Sequence, residues 1–421
     1  MRTLVFVVAL AFAVAAMPRT AGADPLSGEI LAPHTKTFTI EGGAFVGPGA
    51  EVLLRAIEES AAVLLGEYHG SVQIAAFTEA LVPKLHDAGC RTMILEIGPN
   101  AQGIVSESLD DHGLALTALG LLNQRFGVET PDGFYAPIPF VGGVEDAAFI
   151  QSAHDHGWEL AGIDQEFVFG YRVVLRELAG AVGVSTEVDA GFLAADAAVE
   201  EAFELDAKDG PSAAVTLTDS VEFQAFLDRA ARVSDEAAAT VADVRTSLEI
   251  YRLNDEGDWW QSNGTRIGHM KTNLGRALDR LGLTIGPDRV FLKMGAVHTG
   301  RGLSLLRYHE IGSTIAELAE LQGERSVHLA CMSRYWVAEG SNEPADALAD
   351  GIGYAELVSM GVSDAWTIID LRPLRQAVLY DWIETERFTK EYITQHDLVL
   401  IPPADWATTH NMADGGGGWA D

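Results

Sequence analysis

Ala62-Val63-Leu64-Leu65-Gly66-Glu67-Tyr68-His69-Gly70 is an apolar run that ends in a glycine, with a carboxylate and an imidazole directly behind it. The same grammar returns at Val290-Phe291-Leu292-Lys293-Met294-Gly295-Ala296-Val297-His298. Each stretch reads as a strand followed by Gly-x-x-His. A continuous apolar run suits a strand covered on both faces, as in a parallel sheet. The pair predicts two strands that deliver His69 and His298 to one edge of one sheet and into one site.

Further strands are expected at residues 37–40, 91–97, 158–163, 326–330, 366–369 and 398–401. Helical spacing lies between several of them, as in Ile74, Phe77, Leu81 and Leu85 after the N-cap candidate Ser71. Strands alternating with helices predict an α/β fold, with a mostly parallel central sheet and helices on both faces. Residues 184–282 break the rhythm. Alanine and acidic residues dominate there, strand signals vanish, and a helical insertion or cap is expected. The expected division is therefore a first part of the α/β domain at 24–183, the insertion at 184–282, a second part at 283–405, and a disordered tail at 406–421.

The start of the chain has the form of a secretory leader. Arg2 precedes an apolar run, and Ala21-Gly22-Ala23 fits a cleavage site, so residues 1–23 are expected to be removed on export to the periplasm or beyond. The run is too short to span a bilayer. The chain carries 28 basic and 61 acidic side chains, a net charge of −33. Such a surface repels nucleic acid and anionic lipid. Cys90 and Cys331 fall at opposite ends of predicted parallel strands and are expected to stay unpaired.

Polar residues cluster where predicted strands end. They are Glu67 with His69, Glu96, Asp164 with Glu166, and His298. In open parallel sheets the carboxyl ends of the strands form the ligand crevice. Acids are out of place beside apolar runs unless they are partnered, since burying an unpaired charge is costly. The residue types suit two chemistries. His69, Glu96, His298, Asp164 and Glu166 could ligate zinc, manganese or iron. Metal-free acid–base catalysis, with a carboxylate tuning a histidine, fits equally well. Arg301, three residues after His298, is a candidate for steadying an anionic group. No Gly-x-Ser-x-Gly elbow, P-loop or dinucleotide fingerprint occurs, which removes the common serine hydrolases and nucleotide enzymes.

With Gly66-Glu67-Tyr68-His69, Gly295-Ala296-Val297-His298 and the intervening Glu96, the chain resembles the superfamily of erythromycin esterases, Tiki metalloproteases, TraB and GumN-type proteins and ChaN-type haem-uptake proteins. The resemblance covers about residues 61–301. It implies a hydrolase site on an α/β fold in most branches, metal-dependent in the Tiki branch. The expectation is an exported hydrolase of an ester or amide bond, acting on a small molecule or peptide. Glu67, His69, Glu96, His298 and Arg301 are its catalytic set. The alternative is a haem- or iron-binding protein without turnover, with Tyr68 and the histidines as iron ligands.

Overall fold

The computed structural model describes residues 23–131, 133–338, 341, 343–350 and 353–412, without the side chains of 349 and 350. Apart from residue 23, the expected leader lies outside the described residues.

A nine-stranded sheet forms the centre. Its strands are β1 (Thr35–Glu41), β2 (Ala44–Val46), β3 (Ala62–Glu67), β4 (Thr92–Leu95), β5 (Glu159–Gly162), β6 (Val290–Gly295), β7 (Ser326–Cys331), β8 (Trp366–Asp370) and β9 (Leu398–Ile401). Their spatial order is β2-β1-β8-β9-β7-β3-β6-β4-β5. From β9 through β5 the pairings are parallel. The edge made by β8, β1 and β2 is antiparallel. All residues of β3, β4, β6 and β9 are buried. That is why these strands read as predominantly apolar runs, with no alternation.

β3 and β6, the strands that carry the two Gly-x-x-His units, are immediate neighbours. Gly66 lies opposite Met294 and Glu67 opposite Gly295. The two Gly-x-x-His units therefore run side by side, one residue out of step.

Helix Val72–Asp87 starts where expected, with the Ser71 side chain accepting the Ile74 N–H. The helical insertion has its own core, in which Leu175, Phe192, Val199, Leu217, Phe226 and Val244 pack together. This core begins earlier than residue 184, since helix Tyr171–Val182 belongs to it. Helix Trp259–Leu281 belongs elsewhere. Its Ile267, Met270 and Leu274 pack on Leu64, Ile94 and Leu292 of the sheet. The periodicity of helix Trp259–Leu281 identified it as helical, but not which core its apolar stripe would join.

The expected tail is ordered over residues 406–412. Thr408 N–H donates to Gly70 O, Val144 N–H to Thr409 O, and Asn411 N–H to Gly142 O. This segment lies between the turn after His69 and the loop before helix Val144–Asp155. Its glycine-rich continuation, residues 413–421, lies outside the described residues. Cys90 and Cys331 are both buried free thiols.

Candidate active site

Glu96, which follows β4, is the hub. Its Oε1 accepts from Arg266 Nη2 at 2.8 Å and its Oε2 from the Gly295 N–H at 2.5 Å. The two imidazoles approach the same carboxylate from either side. His69 Nε2 lies 3.6 Å from Oε2, and His298 Nε2 lies 3.4 Å from Oε1. The site thus gathers Glu67, His69, Glu96, Asp164 and His298, as the strand-end argument expected.

The two histidines live in different surroundings. The His298 side chain is 3% exposed, and its Nδ1–H donates to Glu310 Oε2 at 2.9 Å. Burial opposes its charged form, but Glu96 and then Glu310 outweigh it, so its pKa is raised above the ordinary histidine value. Glu310 is fully buried, and its other oxygen accepts from Ser304 Oγ at 2.8 Å. The His69 side chain is 33% exposed. Its Nδ1 meets Glu67 Oε1 at 3.1 Å, and the Phe140 ring stacks on it with centroids 3.7 Å apart. Phe140 adopts φ 63°, the left-handed region that a bulky residue enters only when its surroundings hold it there.

Glu67 and Asp164 each have a cation. Lys293, inside β6, reaches Glu67 Oε2 at 2.6 Å. Burial opposes the charge on Glu67, but Lys293 and His69 outweigh it and lower its pKa. Arg266 reaches in from helix Trp259–Leu281 and grips Asp164 with Nε at 2.9 Å and Nη2 at 2.6 Å. Burial likewise opposes the charge on Asp164, and Arg266 overcomes it. Burial opposes the charge on the half-buried Arg266, and Asp164 and Glu96 outweigh it and raise its pKa.

Two expected site residues lie elsewhere. Glu166 turns to the start of helix Pro99–His112, where it accepts from Asn100 N–H at 2.8 Å, Asn100 Nδ2 at 2.9 Å and Ala101 N–H at 3.3 Å. Helix-end amides attract a carboxylate, while burial pushes this one up to about 7. Arg301 pairs with Asp397 at 2.7 Å and donates to Ser326 O at 2.6 Å. Those residues sit at the amino ends of β9 and β7, whereas Glu67, Glu96 and His298 follow carboxyl ends. A short helix, Ala296–Thr299, carries the chain away from the site before Arg301 is reached.

The glycines of the two motifs are packing requirements. A Cβ on Gly66 would lie 2.3 Å from Thr299 Oγ1 and 2.8 Å from Ala296 Cα. One on Gly295 would lie 3.2 Å from His69 Nε2 and 3.3 Å from Glu96 Oε2. Strand, glycine and histidine form one device, in which the glycine lets the neighbouring motif close in.

The five residues expected to ligate metal do not fit one. A metal needs several lone pairs aimed at a common point. Here the Arg266 guanidinium already spans Glu96 and Asp164, the Gly295 amide holds the second oxygen of Glu96, the carboxylates around His298 favour its protonated form, and Glu166 is elsewhere. Among the described residues no three His, Cys, Asp or Glu side chains form a group that could hold a metal. The Tyr68 hydroxyl donates to the buried Asp405, and burial together with that carboxylate pushes its pKa up, away from the phenolate an iron ligand would be. Nor do the described residues offer a ready thiol or Ser71 nucleophile. Burial pushes the Cys90 thiol up to about 12 and raises that of Cys331, and the Ser71 hydroxyl is bound to Asp405 at 2.6 Å.

Sequence reasoning did not assign Lys293, Glu310, Phe140 or Arg266 to the site. Lys293 carried a readable signal, a single charge inside a buried strand that demands a counter-ion.

No protein-family model and no curated protein sequence matches the chain. Solved structures do. An erythromycin esterase variant in its open conformation superposes with a TM-score of 0.51 at 16% identity, over 88% of this chain and 98% of that one. A succinoglycan biosynthesis protein superposes with a TM-score of 0.54 at 15% identity, over 90% and 96% of the two chains. A Bacillus cereus protein solved as a structural-genomics target gives 0.53 at 12% identity, over 91% and 98%. The chain has the fold of these proteins along nearly its whole length.

Proposed function

We propose that this protein is a hydrolase that splits an ester or amide bond with water, using His69 as general base and no metal. The observation that carries this reading is the contrast between the two imidazoles around Glu96. One is buried, with its pKa raised by neighbouring carboxylates, and the other is part-exposed and oriented by a carboxylate.

With Nδ1–H donating to Glu67, the lone pair of His69 is at Nε2. The 3.6 Å between Nε2 and Glu96 is too long for a direct hydrogen bond, so Nε2 is left to a proton on a third group, such as water. In the proposed step Nε2 takes a proton from water as the water oxygen bonds to the carbonyl carbon, and the C=O π pair moves to oxygen. Arg266 and protonated His298 supply fixed positive charge beside the developing oxyanion, a role worth several kcal/mol in a buried site. The oxyanion then collapses, the C–O or C–N bond breaks, and His69 returns its proton to the leaving alkoxide or amine. Buried thiols and a committed serine support direct attack by water over a covalent intermediate. The fold shared with an erythromycin esterase supports the same class of reaction. The leader-like start adds export to the proposal, so the substrate is sought among small molecules and peptides outside the cytoplasm.

The test is turnover of a panel of chromogenic esters and amides by the purified chain. Activity in the wild type that disappears in a folded His69→Ala variant supports the reading. An inactive wild type across the panel, or activity that survives His69→Ala, overturns it.

A further inference from the structure

Arg301 was expected to hold an anion beside the histidines, and the structure takes it to a different cleft. We propose that this cleft, between the loop after helix Ala296–Thr299 and helix Arg387–Gln395, binds a small oxyanion: a phosphate or sulfate group, free or carried on a small molecule. It is open, with a volume of about 420 Å³. Arg301 and Arg307 line it from the loop, Arg387 and Lys390 from the helix, and Glu391 is its one carboxylate.

Four cations around one cleft run against a composition of 28 basic and 61 acidic side chains. Their pairing is also lopsided. Asp397 serves both Arg301, at 2.7 Å, and Arg375, at 3.0 Å. Glu391 serves both Arg387, at 3.1 Å, and Arg307, at 3.7 Å. Lys390 pairs with Asp381 at 2.6 Å. Three carboxylates thus serve five cations and leave a local positive surplus. Arg387 uses only its Nε on Glu391, and at 3.7 Å Arg307 has an ion pair without a hydrogen bond. Among the described residues, the terminal N–H groups of both have no acceptor.

The geometry suits a compact anion. Arg387, Lys390 and Glu391 stand three and four residues apart, so they share one face of the helix. Arg307 faces them across the cleft with φ 67°, a left-handed conformation that is unfavourable for an arginine. Guanidinium forks match the paired oxygens of phosphate and sulfate. Larger polyanions are disfavoured, because the chain as a whole carries −33. The cleft adjoins the amino ends of β7 and β9 through Arg301, so it is distinct from the histidine site.

The test is calorimetric titration of the full chain with inorganic phosphate and, separately, with glycerol phosphate, at constant ionic strength. Saturable binding of at least one probe is expected. It should weaken at least about tenfold in Arg307→Ala/Arg387→Ala, the loss of two charge-assisted contacts. It should persist in Arg245→Ala, which removes an arginine paired with Asp228 in the helical insertion. Arg307 and Arg387 are 43% and 61% exposed, so the double variant should fold normally. Tighter binding of the ester points to a phosphorylated molecule, and tighter binding of inorganic phosphate to the free anion; either supports the cleft. No saturable binding of either probe, or unchanged binding in the double variant, overturns the proposal. Neither readout depends on turnover at His69.

Discussion

Glu67 and Gly295 are register partners on adjacent parallel strands, and that single pairing sets the spacing of the site. It puts the carboxylate of one Gly-x-x-His unit beside the glycine of the other. The Gly295 amide then reaches Glu96 on the next strand over.

Adding one carbon at Gly295 should separate chemistry from folding. Its backbone, at φ −54°, is open to any residue, but a Cβ would press on His69 and Glu96. Gly295→Ala should lower kcat by roughly tenfold to a hundredfold through misplacement of the base, with only a small shift in Tm. Gly66→Ala meets backbone and Thr299 at closer range. It should instead destabilise by about 1–3 kcal/mol, read by denaturant unfolding.

Lys293 and Glu67 form a buried ion pair, with side chains 3% and 5% exposed. Lys293→Met leaves the buried carboxylate with His69 as its remaining partner and should cost about 3–5 kcal/mol. Lys293→Met/Glu67→Gln should recover much of that stability and none of the activity. Because the Glu67 pKa is lowered on folding, its stabilisation is present above the ordinary glutamate value and is lost as pH falls through the depressed one. Acid unfolding of the Glu67→Gln variant should accordingly lack that contribution.

His298 has the opposite sign. Its pKa is raised on folding, so its stabilisation is fully present below the ordinary histidine value and is lost as pH rises through the raised one. The proposed oxyanion stabilisation needs the same charge. Both Tm and kcat/KM should therefore decline together on the alkaline side, and His298→Gln should remove that shared decline.

Arg266 occupies the position where a cation is needed between Glu96 and Asp164. Turnover should therefore be indifferent to chelators, while Arg266→Gln should abolish it and destabilise the fold by stranding two buried carboxylates. Rates before and after EDTA dialysis, with metal analysis of the same sample, check the first expectation.

Much of this was legible in the sequence because the parallel strands are buried on both faces. Predominantly apolar runs marked β3, β4, β6 and β9, and the charged residues at or just past their ends had to be partnered or functional. The partners were harder to see. Arg266 shares a helix with Met270, which packs on the sheet, and helical spacing alone does not tell the packing residue from the one that reaches past it into the site. Glu310 and Phe140 lie on segments whose direction is set by tertiary contacts. Arg301 misled because proximity to His298 in sequence was read as proximity in space, and the short helix Ala296–Thr299 undoes it. Glu166, two residues after Asp164, found helix-end amides instead.

The central claim is that His69 and His298 act as one unit around Glu96, and a double-mutant cycle on turnover tests it most directly. If they do, His69→Ala, His298→Ala and the double variant should all fall to nearly the same residual rate, since removing either breaks the unit. Losses that multiply in the double variant would mean that the two imidazoles work independently, and would contradict the account.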